Sequence, residues 1–234
     1  MKKAPAFWTR CAPYLLASIF ASGAATAAYS QTSLEAVLAQ MDRTAANFRT
    51  AQADFTWKTF NDVINDFDDK QDGTIYFERE RNDTRMAADI STPQKKEVLF
   101  SEGKIEIYQP SLRTLDIYDV GTHREEFESF LVLGFGSSGA DLRKSFDVNY
   151  GGEEKIDNID TARLELTPKS ESVKKQFSQI VLWIDLQNGI SVQQKLIKGD
   201  GYRLAKYSNI KLGQKIPGKV FKLNVPPKTT RINH

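Results

Sequence analysis

The sequence predicts an α+β protein, mainly antiparallel β: one large, curled sheet of about ten or eleven strands, with a helix at its N-terminus and a second helical insert near its centre. Three observations predict it. Apolar residues recur at three- and four-residue spacing from Ser33 to Phe48. From Ala51 onward the period changes to two. The alternating runs are separated by turn residues at intervals too short for the crossovers that parallel strands need.

The first residues read as a targeting segment. Lys2, Lys3 and Arg10 form a basic region, Tyr14 to Ala21 an apolar one, and Ala24-Ala25-Thr26-Ala27-Ala28 a run of small residues. That order is expected of a cleaved secretory signal peptide over residues 1–28, leaving 29–234 as a single domain exported to the periplasm. Cys11 precedes the apolar run, so it is not placed for lipid attachment at the cut, and the remaining chain has no cysteine to make a disulfide. The formal net charge is +2. It turns slightly negative without the three basic residues of the signal, which gives no reason to expect nucleic acid as a partner.

Along the mature chain, Leu34, Val37, Leu38, Met41, Ala45 and Phe48 make one helical stripe, with Ser33 as N-cap and Glu35 in the first turn. Ala53, Phe55, Trp57 and Thr59 then alternate with Asp54, Thr56 and Lys58. Further strands are expected at 73–81, 85–90, 97–100, 104–109 and 113–119. A helical insert follows. His123 to Leu133 carries Phe127 and Phe130 on an apolar face, Gly134 to Gly139 breaks it, and Asp141 to Phe146 makes further turns capped by Ser138 or Asp141. Strands resume at 146–150, 162–167, 176–185, 190–197 and 202–212. Asn188-Gly189 and Asp200-Gly201 read as type I′ hairpin turns, and 221–225 reads as the strand that closes the sheet before Pro226-Pro227. A sheet of this size must curl or be covered, and two helical segments are available to cover one face.

At this point the order of motifs resembles the LolA family of lipoprotein carriers. The residues that carry the resemblance are the helix followed by Phe55-Thr56-Trp57, then Gly73-Thr74-Ile75-Tyr76-Phe77-Glu78-Arg79. They continue with Phe100-Ser101-Glu102-Gly103-Lys104 and Tyr108-Gln109-Pro110, then Leu164-Glu165-Leu166-Thr167-Pro168-Lys169, and end with Phe221 to Pro227. The family's arginine is usually followed by proline; here Glu80 follows Arg79. The resemblance implies an incomplete, open β-barrel with a central helical lid over an apolar cavity. It implies a periplasmic carrier, monomeric and without a cofactor. Such a carrier takes acylated lipoproteins from an inner-membrane ATP-driven lipoprotein-releasing complex and passes them to an outer-membrane acceptor. A lipid- or lipoprotein-sensing protein of the same class is an alternative, and a lipid-modifying enzyme a more distant one.

Alternation places Phe55, Trp57, Ile75, Phe77, Ile105 and Ile107 on one face, with Leu115, Ile117, Leu164 and Leu166 of matching parity. With Phe127 and Phe130 of the insert, they are the candidate wall of an acyl-chain cavity. Arg79 shares the parity of Ile75 and Phe77. A guanidinium on that side needs acceptors, and backbone carbonyls of a lid could supply them. It is the candidate latch.

Other signals are weaker. Gly134-Phe135-Gly136-Ser137-Ser138-Gly139 fits a dinucleotide fingerprint, but its surroundings read antiparallel, which leaves a hinge between helical pieces as the plainer reading. Asp62, Asp66, Asp68, Asp69 and Asp72 are read as an acidic hairpin loop. Calcium-loop spacing fails there, because Lys70 and Gln71 fall where a ligand and the glycine should be. Catalysis finds no nucleophile–base pair: the histidines are His123 and His234, and no G-x-S-x-G or H-E-x-x-H occurs.

Overall fold

The computed structural model describes residues 32–80, 83–121 and 133–234. Helix α1 spans Leu34–Asn47. Ser33 stays extended and its Oγ accepts the Ala36 amide at 3.2 Å, satisfying one of the N–H groups a helix start leaves unpaired. The helix stops at Phe48, which returns to extended geometry. The predicted stripe faces inward: Val37, Leu38, Met41 and Phe48 are buried.

Twelve strands follow among the described residues. They are β1 (Thr50–Asn61), β2 (Asp66–Glu80), β3 (Asp83–Thr92), β4 (Lys96–Ser101), β5 (Lys104–Gln109) and β6 (Thr114–Asp119), then β7 (Phe146–Ile156), β8 (Ile159–Pro168), β9 (Gln179–Asp185), β10 (Ser191–Lys198), β11 (Gly201–Leu212) and β12 (Thr230–Asn233). Helix α2 (Gly139–Ser145) precedes β7, and a single turn, α3 (Glu171–Lys174), precedes β9. All belong to one sheet in the order β12-β6-β5-β4-β3-β2-β1-β11-β10-β9-β8-β7. The sheet is mainly antiparallel and unclosed, an incomplete barrel. The chain steps outward from β1 to β6, jumps to the opposite edge at β7, and steps back until β11 pairs with β1. The connection between β6 and β7 therefore links the two ends of the sheet, and its described part, residues 133–145, lies on the apolar face.

Several expectations need correction. The acidic run is mostly strand: β2 begins at Asp66, Phe60 pairs with Phe67, and only Asp62–Asn65 form the turn. Asn188-Gly189 and Asp200-Gly201 are not type I′ turns, because neither Asn188 nor Asp200 has positive φ. Type I′ geometry occurs instead at Glu102-Gly103 (φ 53° and 74°) and Asp157-Asn158 (φ 44° and 69°), where both central residues are left-handed. The strand expected at 221–225 does not form. Phe221 ends a 3₁₀ turn (Gly218–Phe221) and, with Ile216, covers Ala87 and Leu99 on the sheet's outer face. Five alternating residues fit an outer covering segment as well as a strand. The last strand is β12, which adds to the sheet edge parallel to β6.

Two apolar clusters share the inner face. The first holds Phe48, Ala51, Ala53, Phe55, Ile75, Phe77, Met86, Ala88, Ile90, Phe100, Phe135, Ala205 and Tyr207. The second holds Val37, Leu38 and Met41 of α1, Leu133, Leu142 and Phe146, and the β8–β9 residues Ala162, Leu164, Leu166, Ile180, Leu182 and Ile184.

Candidate ligand-binding face

Phe55, Trp57, Ile75, Phe77 and Ile105 come together in or against the first cluster, and Ile107 pairs with Val98 on the same face, half-buried. Leu164 and Leu166 lie on that face too, but in the second cluster, fully buried beneath the helices. Leu115 and Ile117 do not belong. The four-residue turn after Gln109 pairs it with Thr114, so odd-numbered residues of β5 share a face with even-numbered residues of β6. Leu115 sits beside Tyr108, opposite Ile105 and Ile107. Phe127 and Phe130 lie outside the described residues.

The described roof over the first cluster is a loop, residues 133–138. Phe135 enters the face from above. Its ring stacks on Phe77 at 5.1 Å and meets Tyr207 edge-on at 4.6 Å, leaving it 1 % exposed. Glycines let the loop sit this low. A side chain on Gly134 (φ +82°) would fall 2.5 Å from Ser191 Cβ, and one on Gly136 2.9 Å from the Phe48 ring. The G-x-G pattern is thus the signature of close packing in a loop, and among the described residues the strands on either side of it, β6 and β7, lie far apart in the sheet and form no βαβ unit for a dinucleotide.

Backbone carbonyls hold the loop. Arg79, near the end of β2, donates from Nη2 to the Gly136 carbonyl at 3.2 Å and lies 5.2 Å above the Phe48 ring. Gln194 Nε2 donates to the Leu133 carbonyl at 2.6 Å, and the Ser191 amide to Gly134 at 2.7 Å. Tyr207, whose hydroxyl lies 3.3 Å from Gln194 Oε1, has its phenol pushed well above the ordinary range by burial, with the Trp57 indole opposing the shift. Beyond the loop, Ser138 and Asp141 form a reciprocal capping box on α2, and Asp42 of α1 accepts the Gly139 amide at 2.8 Å. Around the first cluster, Trp57, Val98, Ile105, Val120 and Ile210 are only partly buried.

Sequence reasoning missed Phe135, Tyr207 and Gln194, and placed Phe48 only in the stripe of α1. Phe135 was legible as the one large apolar residue in a glycine-serine run. Gln194 and Tyr207 carry no local signal.

No family model matches the sequence, and no curated protein matches it. Solved structures do. An uncharacterized conserved protein from Thermus thermophilus is 11% identical and superposes with a TM-score of 0.54, over 87% of this chain and 100% of that one. MucB is 13% identical with a TM-score of 0.51, over 81% of this chain and 62% of that one. A LolA superfamily protein, NE2245 from Nitrosomonas europaea, is 14% identical with a TM-score of 0.39, over 82% and 99%. At such identities the likeness is one of fold. An open, mainly antiparallel sheet with helices and a loop laid on one apolar face defines the class, a fold that this chain shares with the Thermus thermophilus protein and MucB. Among the described residues, no helix is long and apolar enough to cross a membrane.

Proposed function

We propose that this protein is a periplasmic carrier that shelters the acyl chains of lipoproteins on its inner face and shuttles them between membranes. One observation carries the reading: among the described residues, half of an extended apolar face is roofed by a loop hung on three carbonyl groups. A cover attached in this way can be exchanged for cargo. Phe55, Trp57, Ile75, Phe77, Ile105 and Ile107 would then form the wall, and Phe127 and Phe130 would add to it from the insert.

The energetics favour such a cover. Each methylene withdrawn from water contributes about 0.8 kcal/mol. Three long chains would gain tens of kcal/mol gross, above the roughly 18–21 kcal/mol ceiling of reversible binding. Competition from the carrier's own roof lowers the net gain to a reversible range. Arg79 acts here as latch: its bond to Gly136 must break on loading and re-forms as cargo leaves. The implied partners are an inner-membrane lipoprotein-releasing complex and an outer-membrane acceptor, with no cofactor and no bond made or broken on the carrier.

The test is release of triacylated lipoprotein from spheroplasts by the purified protein. A soluble complex that forms with acylated cargo, is absent with an unacylated cargo variant, and delivers to acceptor membranes is expected. Failure to release any lipoprotein removes the reading. Binding without delivery replaces it with a sensing role. Arg79→Leu is expected to load cargo more tightly and release it at least several-fold more slowly; wild-type rates in both steps would remove the latch.

A further inference from the structure

The floor beneath the 133–138 loop is apolar except for a row of hydrogen-bond donors. Gln194 on β10 presents its amide N–H to the Leu133 carbonyl at 2.6 Å. The Ser191 amide, at a point where the β9–β10 register slips, bonds the Gly134 carbonyl at 2.7 Å. Tyr207 orients Gln194 through its Oε1 at 3.3 Å. Trp57 adds a buried indole N–H beside the Tyr207 hydroxyl. Apolar side chains surround these groups: Phe55, Ala205 and Phe135 on one side, Leu182 and Ile184 on the other.

A ligand that lifts the loop removes both carbonyls. Pure hydrocarbon in their place would leave the Gln194 and Ser191 N–H groups buried and unpaired, each at a cost of about tenfold or more in affinity. The loop acceptors are neighbouring carbonyls a few bonds apart. Two acyl esters on adjacent glycerol carbons have a similar arrangement.

We propose that this row is an acyl-carbonyl site: when the loop is displaced, the ester carbonyls of a multi-acyl glyceryl group replace those of Leu133 and Gly134 on Gln194 and Ser191. The site selects ester-linked acyl glycerides over bare hydrocarbon. It rests on the reading that this face receives acyl chains, and it names which chemical class of acyl compound fits.

Ester and ether lipids separate the two ideas. The probe is a soluble dioctanoyl glyceride bearing a fluorescent headgroup, compared with its dialkyl ether analogue of equal chain length, each titrated into the full-length folded protein. The diester is expected to bind about tenfold more tightly, because only it carries carbonyls. In Gln194→Met the ester-to-ether ratio is expected to fall at least about threefold. A loosened loop would change both affinities together and leave the ratio intact, and circular dichroism confirms that the variant is folded. Equal affinity of the two lipids for the wild-type protein overturns the inference while leaving the acyl-chain reading standing, as does a ratio that Gln194→Met does not move. Failure of both lipids to bind overturns that reading and this inference with it.

Discussion

The two halves of the inner face are covered in different ways. Over β8 and β9 lie two helices, and the strand residues Ala162, Leu164, Leu166, Ile180, Leu182 and Ile184 are each 0 % exposed. Helix α1 is tied there through Gln40 to the Gln187 carbonyl at 2.7 Å and through Thr44 to the Asn188 carbonyl at 2.6 Å. Over β1 to β5 and β11 the described cover is Phe48 and one loop, whose contribution to the core is Phe135, and the rim residues keep part of their surface. A helix that inserts a side chain every turn closes its half as a permanent core. A loop that inserts one ring and offers carbonyls can leave at the cost of a few bonds. The difference teaches where this fold can open without unfolding.

Four substitutions can break or sharpen that contrast. The largest effect is expected at Leu164, under the helices. Leu164→Ala should cost about 2–5 kcal/mol in urea unfolding, because a sealed site cannot collapse around the cavity. Ile105→Ala, at the partly exposed rim of the other half, should cost roughly half as much. Equal losses would mean that both halves are equally closed. Next is Ser138→Ala, which removes the Oγ acceptor of the α2 capping box, leaving the Asp141 carboxylate on the residue-138 amide, and should lower stability by about 1 kcal/mol in thermal unfolding. No change there would show that the loop leads into α2 without needing its cap.

The smallest effect is electrostatic and lies on the outer face. Asp72 accepts from Thr56 at 2.7 Å and Thr92 at 3.0 Å and pairs with Lys70 at 3.1 Å. The Thr56 hydroxyl foremost, with Lys70 and Thr92, holds its carboxyl below the ordinary 3.8, against an opposing desolvation. A carboxyl held low in the folded state contributes stability above its ordinary value and loses it as pH falls through the lowered one. The wild-type protein should therefore lose slightly more melting temperature than Asp72→Asn between pH 5 and pH 3. The difference should be small, because the group is partly exposed. Identical pH profiles would show that this cluster contributes nothing to the β1–β3 half.

Much of this was local and so legible. The 3.6-residue stripe and Ser33 define α1, and alternation places Phe55 with Trp57, and Arg79 with Ile75 and Phe77. These depend on residues a turn or two apart, whose side-chain directions follow from backbone period alone. Other features needed the folded chain. Alternation gives parity within one strand, but a turn of unforeseen length reverses it in the next, as between β5 and β6. Nor does it say what covers a face. Leu164 and Ile75 have the same pattern and inner-face position, yet one lies under helices and the other in the cluster that Phe135 covers. The donor row joins Trp57, Ser191, Gln194 and Tyr207 to a loop at residue 133 only because the connection from β6 to β7 reaches across the sheet while β11 returns to pair with β1. Sequence determined helix α1, strands β1 to β11 in outline and the orientation of each side chain within its own element. The tertiary structure alone decided which of those faces meet, because neighbours in the sheet are set by long-range pairing and not by adjacency along the chain.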